Sequence, residues 1–235
     1  ARELPYGRVL YEIGEQVHHV YFPNNALISL VTQMTDGKII EIGLIGNDGM
    51  SGLTALMSEG TSPERAMVQI PNGAMRVELG VIKEEFRRGG ELQKSLLAYA
   101  RKFMRQVSQT AACNASHTTE ERLSRWLLMC QDRVHSSELK LTQEFIAEML
   151  GTRRATVSVA AMVLQSDGLI QYSSGHIKII EDNAGSGTSG GIPHLHRIGE
   201  STGAAHDGNS TVLQAIHLIQ AARFVLRRHQ EHIAS

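Results

Sequence analysis

Apolar and polar positions change their rhythm twice along the chain. From Val9 to about Val77, short apolar and β-branched runs such as Ala26-Leu27-Ile28-Ser29-Leu30-Val31 and Lys38-Ile39-Ile40-Glu41-Ile42 alternate with turn residues. The punctuation is dense: Gly14, Pro23-Asn24-Asn25, Asp36-Gly37, Gly46-Asn47-Asp48-Gly49 and Pro71-Asn72-Gly73. Evenly spaced short strands predict a small barrel or roll. Asp36-Gly37 is the strongest hairpin signal, because both residues tolerate positive φ.

After Gly89-Gly90 the period becomes helical. Leu97, Ala100, Met104, Val107 and Ala111 recur at alternating spacings of three and four, the pattern of a coiled-coil seam. A second stripe, Leu92, Leu96, Tyr99 and Phe103, lies beside it, so one helix has apolar surface for its own domain and for a partner helix. A homodimer through the first stripe is the expectation, with purely intramolecular packing as the alternative.

The third stretch reads as helix, turn, helix and hairpin. Thr118-Thr119-Glu120-Glu121 fits a capping box that opens a helix whose inward face is Leu123, Trp126, Leu127 and Cys130. Thr142 caps the next helix, with Phe145, Ile146, Met149 and Leu150 as apolar positions, and Gly151 breaks it. Thr152 is expected to cap a further helix that buries Val157, Ala160, Ala161 and Leu164 and presents Arg153, Arg154, Thr156 and Ser158 on its other side. Asp167-Gly168 closes it, and two strands around Ser173-Ser174-Gly175 follow. The sum is a winged helix-turn-helix.

From Asn183 to Ser210 the chain shifts to Gly, Ser, Thr and His, a composition too polar to offset chain entropy, and is expected to be a flexible linker. Residues 211–234 then resemble a helix, with Val212, Ile216, Ile219 and Phe224 apolar and Arg223, Arg227 and Arg228 near its end, expected as an appendage or docked helix. The expected organisation is α+β: a β-roll sensor over 1–90, a dimerisation helix over 91–116, a winged helix-turn-helix over 117–182, and a linker with a terminal helix over 183–235. The chain opens on Ala1 and not Met, so the roll is read as open to N-terminal truncation.

Composition narrows this only a little. The 235 residues are 42% hydrophobic and 20% charged, and 23 Lys and Arg against 24 Asp and Glu leave a net charge of −1. Attraction to a polyanion must therefore come from a local patch. Residues 118–182 hold seven basic against nine acidic residues, yet no acidic residue lies between Met149 and Ser166. Arginines in the first turn of a second helix suit bidentate contact with guanine, and Thr152, Thr156 and Ser158 suit phosphate or base contact. His176 and Lys178 in the hairpin are candidate phosphate contacts. Two cysteines, Cys113 and Cys130, make neither a disulfide framework nor a zinc or iron–sulfur site, and are read as buried apolar residues in a reducing cytoplasm. His18-His19 and the pair His194 and His196 lack a third placed ligand and are read as solvated side chains. No apolar run approaches the length of a membrane span, and no nucleophile with a placed base marks an enzyme.

The runs Leu141-Thr142-Gln143-Glu144-Phe145-Ile146-Ala147, Leu150-Gly151-Thr152-Arg153-Arg154-Ala155-Thr156-Val157-Ser158 and Gly168-Leu169-Ile170 closely resemble the winged helix-turn-helix of Crp/Fnr-type bacterial transcription regulators. Gly7-Arg8-Val9-Leu10-Tyr11-Glu12-Ile13-Gly14-Glu15 and Val20-Tyr21-Phe22-Pro23 resemble the same family's β-roll, so the resemblance covers residues 1 to about 182. It implies a cytoplasmic homodimer on a pseudo-palindromic DNA duplex, a signal sensed at the roll, and RNA polymerase as a candidate partner. Cyclic-nucleotide-binding members of the family carry Gly-Glu and Arg-Ser/Thr around a phosphate site. Here the corresponding places read Gly46-Asn47, followed by Gly49, and Arg65-Ala66, which argues against a cyclic nucleotide and leaves the small-molecule effector unnamed. The glycines at 43, 46, 49 and 52 read equally as a phosphate cradle or as turn geometry. Two cysteines cannot supply the family's oxygen-sensing cluster. The recognition helix departs as well, with Ala155 after Arg154 and Val159 one turn on where many members place Glu and Arg. A different operator is expected, with Ala155 or Val159 against a thymine methyl. The alternative reading is a small-ligand-binding regulatory module that acts on a protein partner without DNA.

Overall fold

The computed structural model describes residues 2–180, together with 220–222 and 225. In chain order the elements are β1 (Arg2–Leu4), β2 (Val9–Tyr11), β3 (His19–Pro23), β4 (Leu27–Gln33), β5 (Ile39–Ile45), α1 (Leu53–Met57), β6 (Arg65–Ile70), β7 (Asn72–Glu78), α2 (Leu79–Arg88) and α3 (Glu91–Ser116). Then come α4 (Thr119–Val134), β8 (Glu138–Lys140), α5 (Gln143–Met149), α6 (Arg154–Ser166), β9 (Ile170–Ser173) and β10 (His176–Ile179).

The first seven strands form two antiparallel sheets, ordered β1-β7-β3 and β2-β6-β4-β5. Val20, Phe22, Leu27, Ile28, Ala66, Val68 and Val77 are buried among them, which is the apolar face that the short runs must hide. The expected turn at Asp36-Gly37 joins β4 to β5: Met34 donates to the Lys38 carbonyl at 2.8 Å, Gly37 donates back to Met34 at 2.9 Å, and Gly37 adopts φ 84°. Pro71-Asn72-Gly73 is not the expected turn. Pro71 alone connects β6 to β7, and Asn72 and Gly73 pair with Leu4 and Glu3 as strand residues. Two helices inside the roll segment escaped the sequence reading, although Leu79 and Ile82 of α2 are buried at helical spacing.

Among the described residues, contacts divide the chain into two compact units, one holding 2–32 and 43–107, the other 33–42 and 108–180. The tip of the β4–β5 hairpin thus belongs with the helix-turn-helix segment and not with the rest of its sheet, and α3 contributes to both units. The linker expected over 183–210 and its histidines lie outside the described residues. So does most of the helix expected over 211–234, of which 220–222 and 225 are helical, with Ala222 and Val225 buried.

Candidate nucleic-acid interface

Helix α4 opens with the expected capping box. The Glu121 amide donates to Thr118 Oγ1, and the Thr118 amide donates to Glu121 Oε2 at 2.8 Å, which satisfies two otherwise orphaned groups. Its inward face is as expected, with Leu123, Trp126, Leu127 and Cys130 all buried. Arg125 is buried too; its Nη1 donates to Thr110 Oγ1 at 3.3 Å, and burial pulls the guanidinium below its ordinary pKa. The Arg122 guanidinium donates to the Leu150 carbonyl, which ties α4 to the end of α5.

The turn between α5 and α6 is specified by one glycine. Thr142 Oγ1 accepts from the Phe145 amide at the start of α5. At its end Gly151 stands at φ 60°, its amide donates to Glu148, and the Thr152 amide donates to Ala147 at 2.9 Å. This is a Schellman closure, which needs the left-handed conformation that glycine adopts without strain. The Ile40 side chain lies 3.2 Å from where a Cβ at Gly151 would stand, so a larger residue would have to shift Ile40 by a few tenths of an ångström as well as adopt the strained torsion.

Here one expectation is corrected. Thr152 does not cap α6: the first carbonyl to accept from the helix is that of Arg153, which takes the Thr156 and Val157 amides, so Arg153 is the N-cap, with extended backbone and no side-chain capping bond. The Schellman closure runs through Thr152 itself, and the N-cap follows on the next residue. Arg153, Arg154 and Thr156 are exposed, as the sequence predicts, and Val157, Ala160, Ala161 and Leu164 are buried. Ser158 is not a free hydroxyl: it donates to Gln143 Oε1 at 2.6 Å and lies 3.2 Å from the Arg154 carbonyl, so it binds α6 to α5. Gln143 was missed by sequence reasoning, since nothing in helical spacing links positions 15 residues apart.

The hairpin wing is a three-stranded sheet, β8-β10-β9. Ser174 and Gly175 both take positive φ at its tip, and the Gly175 carbonyl accepts from Leu141 at 2.8 Å. His176 and Lys178 are exposed on β10. Strand β8 is too short to show in an alternation pattern. Its residue Glu138 comes within 3.8 Å of Lys178, and Glu144 of α5 within 3.8 Å of Arg154, so two of the candidate DNA cations have carboxylate neighbours that a count along α6 alone does not reveal. All four side chains are mostly exposed, where such pairs contribute about 0–1 kcal/mol and yield readily to a stronger anion. Tyr172 packs behind this surface, with its hydroxyl donating to the Leu141 carbonyl at 3.3 Å; burial pushes the phenol up, and its hydrogen bond with the Gln143 backbone and the Arg154 charge oppose it.

Residues 121–184 match the family model described as the Crp-like helix-turn-helix domain. This segment is thus similar to a Crp-like helix-turn-helix. Around this Crp-like domain the whole described fold resembles solved CRP/FNR regulators. A CRP-family transcriptional regulator of Thermus thermophilus is 19% identical, with a TM-score of 0.67 over 85% of this chain and 97% of its own. FixK2 of Bradyrhizobium japonicum is 17% identical, with a TM-score of 0.67 over 84% of this chain and 95% of its own. CLP of Xanthomonas campestris, described as responsive to c-di-GMP, is 15% identical, with a TM-score of 0.61 over 77% of this chain and 93% of its own. A search of curated proteins returns no match. At these identities the likeness is one of fold: α+β, with a β-sheet domain, a long helix and a Crp-like helix-turn-helix.

The remaining candidate residues fall in two places. On α3, Leu97 is 50% and Met104 69% exposed, Ala111 is exposed and Val107 half-buried, whereas Ala100 is buried within the protomer. Leu92, Leu96 and Tyr99 of the neighbouring stripe are buried. In the roll, Gly46, Asn47 and Gly49 form a tight turn in which Gly49 donates to the Gly46 carbonyl at 3.1 Å. A Cβ at Gly49 would stand 2.5 Å from the Tyr99 ring, and one at Gly43 2.5 Å from Phe103. Close packing of aromatic rings on backbone therefore accounts for two of the four glycines. Arg65 lies on β6 before buried Ala66, and its Nε donates to Glu12 Oε2 at 2.6 Å. Among the described residues no group of three or more His, Cys, Asp or Glu is placed to hold a metal, and no helix is long and apolar enough to cross a membrane.

Proposed function

We propose that this protein is a homodimeric, sequence-specific DNA-binding transcription regulator whose DNA affinity is set by a signal received at the β-roll. The observation that carries the reading is α6 itself: a helix held by a glycine closure and by Ser158–Gln143 against α5, showing Arg153 and Arg154 at its exposed start inside a Crp-like helix-turn-helix domain. Such a helix places its first residues against base edges in the major groove, while Thr142, Thr152, Thr156, His176 and Lys178 stand where phosphates run past.

Leu97 and Met104 on the exposed side of α3 support the dimer, because two large apolar side chains at a heptad spacing gain by covering each other. Two recognition helices related by a two-fold axis then meet half-sites about one DNA turn apart. The Glu12–Arg65 ion pair and the ring-packed glycines weigh against a cyclic nucleotide as the signal. Whatever the effector, it acts by biasing a two-state equilibrium of the paired α3 helices. The work of such a regulator is done in the cytoplasm, with RNA polymerase as the natural further partner, and it is not an enzyme.

Selection of bound sequences from a random duplex pool at two salt concentrations tests this reading, with the oligomeric state measured by light scattering. Enrichment of a two-fold symmetric motif by a dimer, weakening steeply with salt, is expected. A monomer without DNA affinity at low salt would favour a module acting on a protein partner.

A further inference from the structure

Beyond its first turn α6 turns an apolar face to solvent. Val159 is 52% and Met162 61% exposed, and Ala155 is exposed one turn earlier. The three follow the i, i+4, i+7 spacing of a single face, while the buried side of the helix already holds Val157, Ala160, Ala161 and Leu164. A helix that has satisfied its core and still shows a second apolar strip marks a place where something docks.

The surroundings of the strip say what docks. Arg153 and Arg154 stand exposed at its beginning and the wing carries exposed Lys178 and His176; Glu144 and Glu138 come within 3.8 Å of Arg154 and Lys178, but these exposed pairs are weak enough to yield to a stronger anion. The cations around the strip favour a polyanion that presents apolar groups to a helix lying against it. Duplex DNA has one such group in the major groove, the 5-methyl of thymine.

We infer that Ala155, Val159 and Met162 read thymine methyl groups, so that past the first turn of α6 the operator is specified by methyl contact and not by hydrogen bonds. This rests on the proposed DNA-binding function and deepens it. At about 1.5 Å per residue the strip from Ala155 to Met162 spans about 10 Å, close to three base-pair steps of about 3.4 Å. Each half-site therefore carries two or three thymines beyond the bases that Arg154 contacts. Withdrawing one buried methyl from such a contact weakens binding by about fourfold.

The test uses the full chain and the duplex enriched from a random pool, resynthesised with deoxyuridine in place of thymidine at one position at a time. Uracil keeps the pairing and the O4 acceptor and removes only the methyl. Two or three adjacent positions per half-site at which uracil costs about fourfold are expected, and Val159→Ser, at an exposed position that leaves the fold intact, should lose that sensitivity. If uracil is tolerated everywhere while the duplex is still bound in preference to random DNA, the methyl reading is overturned and the regulator reading stands. An enriched duplex whose affinity rises only when its cytosines are 5-methylated overturns the thymine assignment. Unchanged affinity and an unchanged uracil profile in Val159→Ser overturn it, since the methyl groups are then read by residues outside this strip. No enriched duplex at low salt overturns both readings together.

Discussion

The indole N–H of Trp126 donates to the buried carboxylate of Glu41 at 2.9 Å, joining α4 to a strand residue 85 positions earlier in the chain. Both residues lie in the compact unit that contains the helix-turn-helix. The bond is the polar part of a contact that also sets Ile40 against Gly151 at the turn before α6. Removing one partner leaves the other buried without it, which costs about 1–3 kcal/mol. Glu41→Ala and Trp126→Phe should each lower unfolding stability by that amount, and the double variant by less than the sum. Denaturant unfolding of the four proteins checks this; full additivity contradicts it.

Ser158 and Arg154 sit one helical turn apart and should separate cleanly. Ser158→Ala removes the bond to Gln143 and should lower stability by about 1 kcal/mol. Arg154→Ala, which loses only an exposed pair with Glu144, should change it by less than about 0.5 kcal/mol. Thermal unfolding of the two variants distinguishes them, and equal losses would contradict the assignment of Ser158 as a tie between helices.

Gly49 gives a prediction about the roll. Its φ is unremarkable for any residue, yet a Cβ there would press on the Tyr99 ring at 2.5 Å. Gly49→Ala should therefore destabilise the protein by about 1–3 kcal/mol through overpacking. Tyr99→Leu in the Gly49→Ala background should recover part of the loss. A Gly49→Ala protein of unaltered stability would contradict the packing account of this glycine.

Leu97→Glu and Met104→Glu place charge on the exposed side of α3, away from the stripe buried by Leu92, Leu96 and Tyr99. A shift from dimer to monomer with the fold retained is expected, read by light scattering and circular dichroism. Wild-type protein that is monomeric at tens of micromolar contradicts the dimer.

Legibility in the sequence followed how local each signal was. The capping box at Thr118, the cap at Thr142 and the glycine at 151 were readable because each is set by residues within one turn, and the buried faces of α4 and α6 followed from spacing alone. The start of α6 was misplaced by one residue because Thr152 is a good N-cap by type, but the first carbonyl to accept a bond from α6 is that of Arg153. Asn72-Gly73 reads as a turn by type and is held in β7 by pairing with β1, a partner strand of three residues that leaves no pattern. The features that decide the candidate interface from behind, Gln143 under Ser158, Glu144 beside Arg154 and Glu41 on Trp126, are tertiary pairings between residues that no period connects.

The central claim is that α6 reads bases, and its most direct measurement compares wild-type protein and Arg154→Ala on the selected duplex and on a scrambled duplex of equal length. A base contact by Arg154 predicts a loss of about 1–3 kcal/mol, or about 5- to 150-fold, on the selected duplex, with little change on the scrambled one. Equal losses on both would make Arg154 a phosphate contact only, and a wild-type protein that binds the two duplexes alike would contradict sequence reading by α6.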